Sequence, residues 1–384
     1  MTTRNARATC NNVSVLKKNH IPTPALLLDL DAFEANLTRM SDAVKRSGKL
    51  LRPHAKAHKC AEIAKRQILL GASGICVATV AEAEVMSKAG ISEMLLTSPV
   101  ADPLKIARVV STATDEGGLM VVVDHVRQVE WYQDAARAGN RVIDVLVDRD
   151  VGDHRTGARS TEQSLEIAYA IDRASHLRLR GLQGYSVSGS HAGNVEERKR
   201  VSEGAFQQAI ETRDAMARAG LCADILTGGS TGTWEVDLAL PEVTEIQAGS
   251  YVMMDLAYRR LGMDFQQAST VMATVVSANH ENFVTVDAGF KAFSTDRGYG
   301  PEAAHLPGSS YRWGGDEFGF VDIAPAGPKP HLGERIEFIP PHCDPTVNLY
   351  DRIYACRGKY VEAIWPVMDR ITDQIAAIQM QTVS

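Results

Sequence analysis

The stretch Leu50-Leu51-Arg52-Pro53-His54-Ala55-Lys56-Ala57-His58-Lys59 decides how this chain is read. An apolar pair of the kind that ends a buried strand runs directly into two lysines, two histidines and an arginine. A lysine held there among other cations and partly desolvated loses its proton more easily and becomes a nucleophilic amine, able to form a Schiff base with an aldehyde cofactor. A solvated strand–helix junction can carry the same residues, so the rest of the chain has to arbitrate.

With 384 residues the chain is long enough for two domains, or for a barrel with an appendage. A composition of 45% hydrophobic and 23% charged residues is that of an ordinary globular protein, and a formal charge of −6 argues against a general nucleic-acid binder. The polar segment Met1–His20 lacks the apolar core of a signal peptide, and no apolar run reaches the roughly 18 residues of a membrane helix. Cys10, Cys60, Cys76, Cys222, Cys343 and Cys356 show no CxxC spacing and read as reduced thiols. The expectation is a cytoplasmic protein that engages a small molecule, with neither nucleic acid nor membrane as partner.

Outward from Lys56 the chain alternates. Ala25–Leu30 reads as a short strand and Asp31 as the cap of a following helix. Candidate strands then fall at Leu50–Ala55, Gly74–Thr79, Glu93–Ser98, Leu119–Asp124, Val142–Asp148, Leu179–Tyr185, Asp224–Thr227 and Thr244–Val252, with helical periodicity between most of them. This is the rhythm of a (β/α)8 TIM-type barrel, an α/β fold, over residues 24–262. A doubly wound sheet alternates similarly, but here the chemistry-bearing residues follow several strand ends, as a barrel requires. Beyond Gly262 short β-branched segments separated by Gly/Pro turns, Thr346–Leu349 among them, read as a second, mainly antiparallel β domain over 263–384, joined by the arm 1–23. The tail, Val367 to Ser384, is expected to be a surface helix or a partly disordered end.

Two further motifs carry chemistry. Gly228-Gly229-Ser230-Thr231-Gly232-Thr233 closes the seventh candidate strand and Ala248-Gly249-Ser250-Tyr251 the eighth, where barrels bind phosphate through backbone N–H groups and hydroxyls. Neither loop has the GxxxxGK[ST] or GxGxxG spacing, which favours a small phosphorylated cofactor over a nucleotide. In Pro340-Pro341-His342-Cys343-Asp344-Pro345-Thr346, an extended backbone would put His342 and Asp344 on one face. One imidazole and one carboxylate suit Mg²⁺ or Mn²⁺; zinc is the alternative if Cys343 is the ligand. A turn histidine bonded to its neighbouring aspartate is the other reading.

These residues, with the Asp148–Gly157 stretch, Tyr185, His191 and Asp287-Ala288-Gly289-Phe290-Lys291, resemble one family. It is the metal-activated D-threonine aldolase and D-serine dehydratase family of pyridoxal-phosphate enzymes, with the alanine-racemase-like fold (fold type III). The resemblance runs from Pro22 to Pro366. It implies that Lys56 is the Schiff-base lysine, with His54 beside it. It puts Arg155 near the cofactor's phenolic oxygen, Tyr185 near cofactor or substrate, and His191 near the substrate's β-hydroxyl. The phosphate would lie on Gly229, Ser230, Thr231, Gly232, Gly249, Ser250 and Tyr251, and the metal on His342 and Asp344. The relatives' assembly implies a homodimer.

The implied activity is retro-aldol cleavage of a D-β-hydroxy-α-amino acid to glycine and an aldehyde, with His191 or a metal-bound hydroxide as base. Dehydration of a D-serine- or D-3-hydroxyaspartate-type substrate to a 2-oxo acid and ammonia is the alternative. Asp344 favours the aldolase, because resembling dehydratases more often carry cysteine there with zinc. A racemase or a non-catalytic cofactor carrier of the same fold is the further alternative. The sequence departs from the family pattern at Ala78-Thr79, at Ser186-Val187 and at Phe318. Loss of an imidazole at Phe318 and of polar groups at Ala78 implies a substrate bulkier or more hydrophobic at Cβ than D-threonine.

Overall fold

The computed structural model describes residues 16–114, 118–325, 327–368 and 370; the first fifteen residues of the arm and most of the expected tail helix lie outside them. Eight parallel strands form one sheet, in the order Leu50–Leu51, Glu245–Ile246, Ile225–Gly228, Leu177–Gly184, Ile143–Asp148, Leu119–Val123, Met94–Leu96 and Ile75–Val77. The two ends of that order meet: His54 bridges Cys76, Ser73 N–H donates to Leu51 O at 2.8 Å and Cys76 N–H to Pro53 O at 2.9 Å. The sheet is therefore the closed (β/α)8 barrel that the alternation predicts.

Period-two alternation fills both sides of the wall. Cys76, Leu95, Met120, Val122 and Leu146 cluster inside the barrel, while their neighbours Val77, Leu96, Val121, Val123, Val145 and Val147 pack outward under the helices. A polar layer crosses the interior as well. Arg52 Nε donates to both carboxylate oxygens of Glu245 at 3.0 Å, and Glu245 accepts from Thr227. Gln247 Nε2 donates to Thr227 and to Gln183 Oε1, and Gln183 Nε2 donates to Asp148 at 2.9 Å. Every member is paired, so this layer rigidifies the floor of the barrel mouth instead of destabilising it.

The second sheet has nine strands, along Ser310–Trp313, Gly319–Asp322, Phe283–Val286, Ser269–Ser277, Ala25–Asp29, Arg352–Arg357 and Tyr360–Pro366, with Arg335–Ile339 also pairing with Ser269–Ser277 and Glu302–Ala303 pairing with Arg335–Ile339. Its pairs are antiparallel except Ala25–Asp29 against Arg352–Arg357. The stretch Ala25–Asp29, which opens the expected barrel segment, thus belongs to this sheet. The described part of the arm joins it too, with Val361 N–H donating to Leu16 O at 2.9 Å. Among the described residues no helix is long and apolar enough to cross a membrane.

Several expectations need correction. The helix after the first strand is capped by Asp29, which accepts from Ala32 N at 3.0 Å, and not by Asp31. The first and last barrel strands are only Leu50–Leu51 and Glu245–Ile246, each followed by a 3-10 turn. Pro53 has no N–H to extend the first ladder. Thr346–Leu349 is not a strand, because Cys343–Val347 is a short helix. Pro345 in its first turn is a helix-start signal that outweighs the β-branched pair after it. The extended geometry assumed for His342-Cys343-Asp344 therefore holds for His342 alone.

Candidate active site

The barrel mouth opens into two adjoining cavities. One, of about 310 Å³, reaches past Ala78, Thr97, Pro99, Thr156 and Gln183. The other, of about 160 Å³, is lined by His191, Gly229, Ser230, Thr231, Ser250, His342 and Asp344, among others. His54, Lys56, Arg155, Tyr185 and Gln247 line both. The chain thus brings together residues from the ends of at least five barrel strands and one loop of the β domain.

That loop is stitched to the barrel. Leu256 and Ala257 donate their N–H groups to Pro340 O and Pro341 O at 3.1 and 3.2 Å, and Cys343 N–H donates to the buried Asp255 carboxylate at 2.7 Å. The result places Asp344 Oδ2 at 3.7 Å from Lys56 Nζ, with Ser250 Oγ donating to Oδ1 at 3.2 Å. Burial opposes ionisation of Asp344, but the Lys56 and His342 charges outweigh it and hold the carboxyl at about 2. The converse corrects the reading of Lys56. Burial works to lower its pKa, yet Asp344 and Tyr185 outweigh burial, and the ammonium is held above its ordinary value, not below it.

The surrounding groups are fixed by their partners. Arg155 stacks its guanidinium 5.3 Å from the Tyr185 ring centroid. His54 Nε2 lies 3.0 Å from Thr97 Oγ1, and burial with the Lys56 charge drives its pKa well down. Burial, then Arg297 and His342, lower His191 to about 4, so it is neutral at pH 7.

The Gly-rich loop rests on a residue that sequence reasoning missed. Gly229 adopts φ +76, and a Cβ there would collide with the Asp237 carboxylate beneath it. Asp237 is wholly buried and accepts from Ser202 Oγ and Thr233 Oγ1 at 2.6 Å and from Ser230 N at 3.2 Å. Gly249 likewise lies against the His54 backbone, leaving no room for a side chain. Gly232 and Tyr251 do not line either cavity. The Tyr251 ring is buried beside Phe265, and Gln67 Nε2 donates to its hydroxyl at 3.2 Å. Its backbone N–H is also taken, by Thr231 Oγ1 at 3.1 Å.

Asp237 gives a pH test of that loop. Burial raises its pKa from 3.8 to about 6 despite its three donors. The folded value exceeds the unfolded one, so the group's stabilising contribution is complete below 3.8 and is lost as pH rises through about 6. The unfolding free energy of the wild type relative to Asp237→Asn should therefore shrink by about 2 kcal/mol between about pH 4 and pH 7. Urea titrations at the two pH values measure it, and a constant difference contradicts the assignment.

The donor set suits both an aldehyde-phosphate cofactor and a hard divalent cation. For the first there is an amine at a strand end, a guanidinium nearby, and three hydroxyls on the Gly-rich turns opposite. For the second, Asp296 Oδ2 lies 2.8 Å from His342 Nδ1 and leaves Nε2 as the available ligand nitrogen, the arrangement common behind metal-bound imidazoles. Among the described residues no group of three or more His, Cys, Asp or Glu side chains is placed to hold a metal. A cation on His342 and Asp344 would therefore complete its shell with oxygen from water or substrate, as Mg²⁺ and Mn²⁺ do. Cys343 is fully buried, and burial drives its thiol well above the usual value.

Asp296 and Arg297 were not foreseen. Arg297 Nη2 lies 3.0 Å from His191 Nε2 and 3.4 Å from both ring nitrogens of His342. Conversely Phe318, expected to change the pocket, is 47% exposed and lines neither cavity, whereas Ala78 lines the larger one.

A strand-end lysine at the mouth of a (β/α)8 barrel, facing a loop from an antiparallel β domain, defines the alanine-racemase class of PLP-dependent folds, and the chain belongs to that family. The alanine racemase N-terminal domain matches residues 28–257, and a serine dehydratase domain matches 268–356. A D-threonine aldolase from Arthrobacter sp. is 38% identical, over 91% of this chain and 93% of its own. A 3-hydroxy-D-aspartate aldolase from Paracoccus denitrificans is 33% identical, over 92% and 94%. The crystal structure of D-threonine aldolase from Filomicrobium marinum superposes with a TM-score of 0.88 at 36% identity, covering 92% of this chain and 96% of that one.

Proposed function

We propose that the protein is a lyase that cleaves a D-β-hydroxy-α-amino acid to glycine and an aldehyde, with pyridoxal 5'-phosphate and Mn²⁺ or Mg²⁺. The observation that carries it is the pairing of Lys56 with Asp344 at 3.7 Å in one pocket with His191 and His342. That pairing joins an amine suited to an aldehyde cofactor with ligands suited to a hydroxyl-binding cation. When bound, the cofactor supplies a sink for the electron pair left on Cα, and the cation lowers the pKa of the β-hydroxyl.

The chain's own groups do the rest. Lys56 would hold the cofactor, with Arg155 towards its phenolic oxygen and Tyr185 packed against that guanidinium. Ser230, Thr231, Ser250 and the backbone at Gly229 and Gly249 hold its phosphate, in the shape that Asp237 sets. His342 and Asp344 hold the cation. His191, neutral at pH 7, orients the β-hydroxyl through a ring nitrogen. With a pKa of about 4 it is a weak base, so it positions the hydroxyl and does not remove its proton. Gln183 and Gln247, hydrogen-bonded to each other and to Asp148 and Thr227, form the polar floor of the pocket.

A small amino-acid substrate fits cavities of about 310 and 160 Å³. A homodimer is the matching assembly, supported by Phe290 and Phe318, which leave 42% and 47% of their surface exposed on the β domain. The activity is tested by incubating the purified protein with pyridoxal phosphate, Mn²⁺ and D-threonine, D-serine or D-phenylserine. Glycine and an aldehyde are the expected products. Ammonia and a 2-oxo acid would replace this reading with the dehydratase.

A further inference from the structure

We propose that Arg297 is a specificity-determining residue that recognises a second carboxylate carried on the substrate's Cβ. This rests on the lyase reading above. Lys56 marks the Cα end of a bound amino acid, and His191, His342 and Asp344 mark the end where the β-hydroxyl lies. A further substituent on Cβ therefore falls beside the groups that face those imidazoles. The group there is a guanidinium, with Nη2 at 3.0 Å from His191 Nε2 and 3.4 Å from the His342 nitrogens.

Its present partners are poor ones. An imidazole is a neutral acceptor, and a guanidinium fork is shaped for two parallel bonds to a carboxylate. The carboxylate nearest in sequence, Asp296, is already engaged by His342 Nδ1 at 2.8 Å and comes no closer than 3.4 Å to Arg297 Nε. That Nε is buried and makes no hydrogen bond among the described residues. A purely structural arginine would be expected to pair with the carboxylate next to it. This one has only a long ion pair to it, 3.4 Å with no hydrogen bond at Nε, and its Nη2 lies against two side chains that line the pocket, so a substrate carboxylate would supply the missing acceptor.

The proposal also inverts the expectation of an apolar Cβ substituent. Phe318, half the basis of that expectation, lies outside both cavities, whereas the Arg297 guanidinium contacts His191 and His342, which line the smaller one.

The test uses the enzyme loaded with pyridoxal phosphate and Mn²⁺. Kinetics are compared on D-threo-3-hydroxyaspartate and D-threonine. Binding of the unreactive probes D-aspartate and D-2-aminobutyrate, which differ in the second carboxylate, is read from the cofactor absorbance. Wild type is expected to bind D-aspartate more tightly than D-2-aminobutyrate. Arg297→Gln is expected to lower kcat/KM for the dicarboxylate by roughly 10- to 100-fold, mainly through KM, and to weaken D-aspartate by a similar factor. D-threonine and D-2-aminobutyrate should lose clearly less than their dicarboxylate counterparts, because for them only the shared contact with His191 and His342 is removed. Arg297→Lys, which keeps the charge without the fork, should fall between. Equal losses on both substrates would overturn the proposal, since they would make Arg297 a reader of the α-carboxylate or a support for the imidazoles. So would a wild type that does not discriminate D-aspartate from D-2-aminobutyrate, a result that needs no variant to fold. If wild type yields no glycine from any substrate, the lyase reading fails, while the D-aspartate comparison still decides the role of Arg297.

Discussion

Replacing Lys56 by alanine is expected to lower turnover by roughly 10⁴-fold or more, because the chain then lacks the amine that holds the cofactor in register with its phosphate loops. The side chain is part of a local ion pair, so the substitution leaves Asp344 buried beside His54 and His191 without its cation. Lys56→Arg separates the two effects: it restores a charge against Asp344 without a nucleophilic amine. Both variants should lose activity, and only the alanine should lose stability. The direct measurement is borohydride reduction of the cofactor-loaded protein followed by peptide mapping. The pyridoxyl label should appear on residue 56 of the wild type and on neither variant. A label on Lys59 instead would move the assignment. Lys59 lies three residues on and turns away to Glu82, 3.3 Å from its carboxylate.

The second large effect lies across the pocket. His342→Ala and Asp344→Asn should each cost roughly 10²- to 10³-fold in activity and bring metal content towards zero. Their consequences for Lys56 differ. His342→Ala leaves the Lys56–Asp344 pair in place, so borohydride labelling should persist in a protein without metal. Asp344→Asn removes the carboxylate that raises the amine, so the pH at which Lys56 gains nucleophilicity should fall. Chelation of wild type should reproduce the His342→Ala phenotype, with recovery on adding Mn²⁺. Full activity after exhaustive chelation would remove the cation from the scheme.

Which parts of this architecture could be read from residues alone follows from how local each signal is. The barrel was legible because alternating buried strands and helical faces repeat within thirty residues of one another. Lys56, the two Gly-rich turns and His342 with Asp344 were legible because each motif is contiguous. What escaped depends on distance in the chain. Asp237 lies beneath Gly229 through a helix turn, and its role shows only once the carboxylate is seen to accept Ser230 N. Arg297 sits in a loop of ordinary turn residues, Ser294-Thr295-Asp296-Arg297-Gly298, and only tertiary packing aims it at His191, 106 positions away. The Lys56 pKa was misjudged for the same reason: its neighbours in sequence are cations, whereas its neighbour in space is Asp344.

The pairing of Ala25–Asp29 with Ser269–Ser277 has a consequence for how the molecule is made. A ribosome adds about 5–20 residues per second, so this apolar strand waits on the order of 10 to 50 s for its first ladder partner. Leu26, Leu27 and Leu28 spend that interval without their native cover, a period in which a holdase has something to grip. A fragment carrying only the carboxyl-terminal half would lack its central strand, leaving two edges open for pairing with other copies. Supplying residues 16–48 in trans should rescue its solubility better than supplying any equal length of the barrel.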